Sequence, residues 1–271
     1  MTVARSLERP NIDWTTTLFM VAIHLLALLA FIPGNTTWGA IGVAIFLHWF
    51  TGCLGITLGW HRLIAHKSFE VPKWLEYFFV LCGSLACQHG PIMWIGLHRH
   101  HHRYSDQPND HHDAGKGFWW SHMGWLIRDV PAKEEIHKFT RDISGDPVYQ
   151  FCEKYFFALQ FPLGLVLYLL GGWPFVIWGI FVRLVVVYHC TWFVNSATHK
   201  FGYRTYETED TSTNCWWVAL VTYGEGWHNN HHAYQHSARH GLKWWEIDVT
   251  WMHIRLLQML GLARKVKVVE S

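Results

Sequence analysis

Residues 37–66 read TWGAIGVAIFLHWFTGCLGITLGWHRLIAH. From Thr37 to Gly59 the run is apolar and close to the ~20 residues that cross a hydrocarbon core. It then delivers His61 and His66, two imidazoles at its polar end. Three more histidine-bearing clusters follow: His98-Arg-His-His101-His102, Asn195-Ser-Ala-Thr-His199 and His228-Asn-Asn-His231-His232. They begin close after long apolar segments, so membrane and metal need one explanation. That pairing points to oxidative chemistry on a lipid.

The chain has 271 residues, of which 51% are hydrophobic and only 15% charged, against about 25% charged in soluble domains. A net charge of +2 gives no reason to expect a nucleic-acid partner. The 18 tryptophans exceed ordinary usage, and Trp favours membrane–water interfaces. The six cysteines form no CxxC pair and read as small core residues of a reducing compartment. The polar first eleven residues lack a signal-peptide core.

Apolar runs lie at about 14–33, 37–59, 155–172 and 173–195. They predict two hairpins, turning at Pro33-Gly34-Asn35 and at Gly171-Gly172-Trp173-Pro174, neither turn carrying Lys or Arg. Eleven of the 22 basic residues fall between His61 and Lys154, and eight more follow Asn195. The positive-inside rule therefore places both termini and the middle segment in the cytoplasm. The expected fold is an all-α integral membrane protein, a single domain over 1–271. Four transmembrane helices carry a cytosolic helical cap built from 60–154 and 196–271. The stretch 74–94 is apolar but holds Glu76, Gln88 and His89. It reads as an interfacial or re-entrant helix, because a fifth span would separate His61 and His66 from the His98 cluster by the bilayer. Trp119-Trp120 and Trp216-Trp217 are expected at headgroup level.

His98, His101 and His102 sit at i, i+3 and i+4, within about 60° on a helix of 3.6 residues per turn. His228, His231 and His232 repeat that spacing, and Asn195 and His199 are i, i+4. His61 and His66 are i, i+5, roughly 140° apart on an ideal helix, so unwinding or divergence toward two metals is needed. His100 points off the shared face. Nine histidines and one Asn are too many for one ion, since a structural zinc site takes about four ligands, and suit two. Imidazole accepts Zn, Fe, Cu or Ni; zinc has no redox chemistry, whereas iron activates oxygen. Asn195 fits better as the holder of a metal-bound water.

His24, His48 and His189 lie inside spans and read as hydrogen-bonded core histidines. His111, His112, His122, His236, His240 and His253 read as surface groups or as supports of the ligands. Asp106, Asp110 and Asp113 either orient ligand imidazoles or occupy solvated loops.

Taken together, Gly59-Trp-His-Arg-Leu-Ile-Ala-His66, Trp94-Ile-Gly-Leu-His-Arg-His-His-His-Arg-Tyr-Ser-Asp106, Gly117-Phe-Trp-Trp-Ser-His-Met-Gly-Trp125, Thr191-Trp-Phe-Val-Asn-Ser-Ala-Thr-His199 and Gly224-Glu-Gly-Trp-His-Asn-Asn-His-His232 resemble the membrane-bound Δ9 (stearoyl-type) fatty-acid desaturases. The wording, including Phe201-Gly-Tyr-Arg-Thr-Tyr206, is most similar to the cyanobacterial acyl-lipid members. The resemblance implies four transmembrane helices under a cytosolic cap. It implies a di-iron centre held by His61, His66, His98, His101, His102, His199, His228, His231 and His232, with Asn195 contacting iron through water. Gln88, Trp94 and Thr191 match positions that line the bend of the acyl tunnel. Animal acyl-CoA members carry Arg-Asp just before the second cluster; here those positions are Gly96-Leu97, which favours an acyl chain on a glycerolipid. About 40 residues follow the last cluster with no cytochrome b5 domain, so electrons are expected from a separate protein, ferredoxin if the cyanobacterial likeness holds. A thylakoid or plasma membrane would then house the chain.

The implied reaction uses O2 and two electrons to take two hydrogens from carbons 9 and 10 of a C16 or C18 chain, leaving a cis double bond. No histidine beyond the metal set is needed as acid or base. With no functional group near mid-chain, regioselectivity must come from positioning in a narrow, kinked tunnel. A Δ9 enzyme acting on acyl-CoA and a di-iron lipid or alkane hydroxylase share these motifs. A metal transporter would instead set its ligands mid-membrane along a pathway.

Overall fold

The computed structural model describes residues 12–128 and 133–269, and among them every extended element is a helix. Helix α1, Trp14–Ala27, is capped by Asp13, whose Oδ1 accepts from the Thr16 amide at 3.1 Å. A 3-10 turn carries it to Phe31. Helix α2, Trp38–His48, is capped by Thr37 and continues without a break as a π-helical segment, Trp49–Ala65. Along α1 and the 3-10 turn that follows it, apolar side chains such as Leu18 and Phe31 are 63% and 85% exposed, which a water-facing surface would not tolerate in a continuous patch.

Helix α3, Lys73–Ser84, has 12 residues, short of the ~20 needed to span. The chain turns over 85–90 and enters α4, Pro91–Tyr104. The stretch 74–94 is therefore split between two helices and holds no helix long enough to span. Helix α3 lies flush on α2's π-helical continuation because residue 55 is glycine: a Cβ there would sit 2.4 Å from the Gly83 amide nitrogen. Short α5, Lys133–His137, and α6, Pro147–Tyr155, follow.

Helix α7, Gln160–Val176, a π-helical turn Ile177–Val182, and α8, Arg183–Ser196, form a 40-residue apolar stretch to His199. It starts later than the expected Tyr155, which instead ends α6. Its interior is broken at Gly171 (φ −156°, ψ 16°) and Gly172 (φ 66°, ψ −157°). The left-handed φ of Gly172 favours glycine, and it falls at the expected turn. Beyond it the chain doubles back: a Cβ on Gly179 would lie 2.7 Å from Leu167, and one on Gly164 3.1 Å from Ile180. Three stretches are long and apolar enough to cross a membrane: Trp14–Phe31, Trp38–Ala65 and Gln160–His199. Helices α9, Trp216–Val221, α10, His228–Ala233, and α11, Val249–Met259, complete the chain. All six cysteines are free and none is fully exposed, as expected of core residues.

Of the three histidines inside the apolar stretches, His24 and His189 are hydrogen-bonded as expected, whereas His48 Nδ1 is buried with no hydrogen-bond partner among the described residues. His24 Nε2 and His189 Nε2 share a bond of 3.1 Å, His189 Nδ1 and His122 Nε2 one of 2.9 Å, and His122 Nδ1 meets Ser196 Oγ at 2.9 Å. This chain ties α1, α8 and the segment carrying His122 together.

Candidate metal centre

The π-helical end of the second apolar stretch answers the i, i+5 problem. The His66 amide donates to His61 O at 3.0 Å, a bond spanning five residues, so both imidazoles fall on one face with ring centroids 4.7 Å apart. π-Helical turns are rare and cluster at functional sites. Helix α4 supplies His98, His101 and His102, α10 supplies His228, His231 and His232, and a 3-10 turn after α8 supplies His199.

These nine imidazoles gather into two groups, His61, His66, His98, His102 and His231 in one and His101, His199, His228 and His232 in the other. Within each, donor atoms lie within 4.8 Å of one another. The sequence neighbours His101/His102 and His231/His232 are split between groups, so α4 and α10 each serve both. His100 joins neither; it is buried against Tyr104 and Phe139.

The donor set fits metal ions. His66 Nε2 lies 2.7 Å from His98 Nε2, and His231 Nε2 lies 3.1 Å from His61 Nε2 and 2.9 Å from His102 Nε2. In the second group His228 and His199 Nε2 are 3.2 Å apart. Two nitrogens each about 2.1 Å from one ion and at right angles would be about 3 Å apart. Hydrogen bonding alone serves this poorly, because one Nε2 of His231 faces two others. His101 Nε2 and His232 Nε2 are buried with no partner among the described residues, a costly state unless an ion takes them. Burial holds His66, His98, His102, His228 and His231 well below the ordinary imidazole range, which keeps them neutral, the form that ligates.

Carboxylates orient the outer ring nitrogens. Asp110 Oδ2 accepts from His101 Nδ1 at 2.8 Å, Asp106 Oδ2 from His199 Nδ1 at 3.0 Å, and Asp210 Oδ2 from His232 Nδ1 at 2.5 Å. In the first group Glu225 Oε2 lies 2.6 Å from His61 Nδ1. Such partners fix tautomer and ring orientation. Burial works to raise the Asp110 carboxyl, but His101 and His112 overcome it and hold it far below the usual carboxylate range. Of the three aspartates singled out in the sequence, Asp110 and Asp106 bond His101 and His199 of the second group. Asp113 instead caps a 3-10 turn by accepting from the Gly115 amide at 2.8 Å.

Asp210 and Glu225 escaped the sequence reading. Asp210 sits in a polar loop without periodicity. Glu225 is three residues before His228, yet its partner is His61, more than 160 positions away. Four histidines read as surface groups or supports, His111, His112, His122 and His240, are buried; His112 packs on His101 and His240 on His231. His236 is exposed, and its Nδ1 bonds His66 O at 3.0 Å. His253 accepts from Trp49 Nε1 at 3.2 Å.

An apolar cavity of about 540 Å³ runs beside the centre, walled by Phe19 and Met20 of α1, by Tyr188 and Trp192 of α8, and by Phe156 and Phe157. A narrower one of about 70 Å³ continues past His61, His98 and His101 toward Gly52 and Tyr223. Trp94, His98, Thr191 and Asn195 line both. At their junction Trp94 Nε1 donates to Gln88 Oε1 (3.2 Å) and Gln88 Nε2 to Thr191 Oγ1 (2.8 Å). The three residues expected at a tunnel bend thus form one hydrogen-bonded unit.

A sequence model of the family described as "Fatty acid desaturase" matches residues 36–257. The chain is 63% identical over its whole length to the "sn-1 stearoyl-lipid 9-desaturase" of Anabaena variabilis, covering 99% of that protein. It is 62% identical to the protein of the same name from Synechocystis sp., over 94% of this chain and 80% of that one. It is 52% identical to the "sn-2 palmitoyl-lipid 9-desaturase" of Nostoc sp., over 95% and 91% respectively.

Proposed function

The chain belongs to the fatty acid desaturase family, and from that premise we propose that it is an oxidoreductase placing a cis double bond at position 9 of a saturated C16 or C18 chain esterified in a membrane glycerolipid. The observation that carries this reading is the junction of the two cavities at Trp94, His98, Thr191 and Asn195, beside both histidine groups.

Two irons are the metals we assign. His61, His66, His98, His102 and His231 would hold one and His101, His199, His228 and His232 the other, with Asn195 at a bound water. Bound iron supplies oxygen activation for removing two hydrogens from an unactivated methylene pair, with O2 and two external electrons consumed. The protein's own residues do the rest. Phe19, Met20, Phe156 and Phe157, which wall the larger cavity, would bury part of the acyl chain and exclude water. Trp94, Gln88 and Thr191 fix the bend, so that distance along the chain decides which carbons meet the centre. Asp106, Asp110, Asp210 and Glu225 keep the ligand nitrogens aimed inward. The polar wall of the larger cavity consists of hydroxyl, amide and imidazole groups such as Thr15, Gln88 and His89, which suits a glycerolipid better than the phosphates of CoA.

We further propose that Gln160–His199 crosses the membrane twice, giving four spans in two hairpins. The bias of Lys and Arg supports a cytoplasmic cap and termini. The membrane would be a thylakoid or plasma membrane, and the electron donor a ferredoxin.

Expression in a host lacking Δ9 desaturation, with ferredoxin supplied, tests this. New Δ9 monoenes in intact glycerolipids, absent with His231→Ala, are expected. Hydroxylated chains, or products confined to acyl-CoA, would overturn it.

A further inference from the structure

Desaturation leaves an electron account that the substrate cannot settle. The CH2–CH2 unit gives up two hydrogens, hence two electrons and two protons, whereas reducing O2 to two waters takes four of each. Two electrons and two protons must enter from outside, and the electrons need a route to a buried centre.

Backbone hydrogen bonds stitch three distant segments into one surface. The Lys267 amide donates to Ser68 O at 2.8 Å, the Ala238 amide to Lys267 O at 2.8 Å, and Glu70 and Arg264 exchange bonds of 2.9 and 2.8 Å. This joins residues 66–70, 236–239 and 264–267. The joined segments carry Lys67, Arg239, Arg264, Lys265 and Lys267 against the single carboxylate of Glu70, in a chain whose 22 cations are nearly matched by 20 anions. Lys67 and Lys265 side chains are 63% and 75% exposed even though each pairs with an acid, Asp142 and Glu70.

A groove of about 430 Å³ opens in this surface, lined by His232, Tyr234, His236, Lys267 and Val268 among others. His232 belongs to the second histidine group. His236, exposed on the rim, hydrogen-bonds the backbone carbonyl of His66, a member of the first group. The groove thus touches His232 of the second group directly and is linked through His236 to the backbone of His66 in the first. Tyr234, which lines the groove, packs on Tyr206, and Glu207 beside Tyr206 in the chain is exposed. The cations of the three joined segments attract an acidic partner to this face and help to orient it.

We propose that this basic groove is the docking surface for an acidic one-electron carrier protein, which delivers two electrons in successive encounters and is itself oxidised each time. The proposal rests on the desaturase reading. Weak electron-transfer complexes bury little area and depend on charge steering, so a patch without a large apolar face is what such a partner needs.

The test uses the full-length, iron-loaded protein in detergent with a stearoyl glycerolipid. Reduced plant-type [2Fe–2S] ferredoxin is the donor in one arm and dithionite with methyl viologen, a small donor needing no docking, in the other. Lys265→Glu/Lys267→Glu should raise the KM for ferredoxin by about tenfold or more, leave kcat unchanged, and leave the viologen-driven rate unchanged. Raising salt from about 0.05 to 0.5 M should raise the wild-type KM and move the variant's much less. Lys67→Glu alone should give a smaller rise in the same direction, and Lys267→Arg should match wild type. An unchanged ferredoxin KM in the double variant overturns the proposal. So does an unchanged KM accompanied by lost binding to phosphatidylglycerol vesicles, which would assign the patch to lipid headgroups. No double bond with either donor in wild type would instead overturn the desaturase reading.

Discussion

His61 Nδ1 lies 2.6 Å from Glu225 Oε2, while the other oxygen of that carboxylate takes two bonds from Arg62, the very next residue in the chain. Glu225 therefore aims a candidate ligand and is itself fixed by a buried cation, which Asp248 also holds at 2.9 Å. Burial works to raise the Glu225 carboxyl, but His61 and Arg62 overcome it and hold it well below the usual range.

Glu225→Gln keeps the volume and removes the charge. An amide N–H turned toward His61 Nδ1 would push the imidazole proton onto Nε2, the donor atom needed for metal. Iron affinity is expected to fall about 10- to 100-fold, read by chelator competition. Affinity equal to wild type would show that the carboxylate does not set the tautomer.

Acid should both unload and destabilise the centre. The folded pKa of His66, His98, His102, His228 and His231 is depressed by burial, and His232 is brought down to about 4. Below about 6.5 the unfolded chain binds protons that the folded one refuses, so stability present above that value is lost as pH falls. Asp106, Asp110 and Asp210, also depressed, extend the loss below about 3.8. His101 runs the other way: burial lowers it, but Asp110 more than compensates, so it stabilises toward acid. With the depressed histidines outnumbering the raised His101, the melting midpoint of metal-free protein should fall as pH drops below about 6.5. A midpoint that rises on acidification would contradict this.

Thr191→Val removes the hydroxyl that accepts from Gln88 and leaves the side-chain volume nearly unchanged. The bend should loosen, giving a mixture of double-bond positions with total turnover reduced only a few-fold. Mass spectrometry of derivatised acyl chains reads the positions. A product still confined to position 9 would show that the hydrogen bond does not hold the bend.

Gly55→Ala places a methyl 2.4 Å from the Gly83 backbone nitrogen, where no rotamer gives relief. Helix α3 must shift, with an expected loss of roughly 1–3 kcal/mol and a lower melting temperature in detergent. Wild-type stability would mean that the two helices are not in backbone contact.

Most of the site was legible because its spacing is helical: His98/His101/His102 and His228/His231/His232 share faces on α4 and α10 for the reason the period predicts. The His61/His66 pair was legible as a problem but not as its answer. A π-helical turn depends on tertiary contacts that no local period reports. The division of neighbours His101/His102 between two groups was hidden for the same reason, since it depends on which element faces each side chain. Asp210 and Glu225 could not be read at all, as their partners are distant in sequence or loop-borne. The apolar runs marked the three stretches long enough to cross a membrane, but hydropathy began the last of them before its start at Gln160, because the turn after α6 is as apolar as the helix it precedes.

Iron content of the anaerobically loaded, full-length protein is the most direct test of the two-group centre. Two irons per chain are expected for wild type, and one for His101→Ala/His228→Ala, which removes half of the second group and leaves the first intact. A single iron in wild type, or two in the variant, would contradict the account.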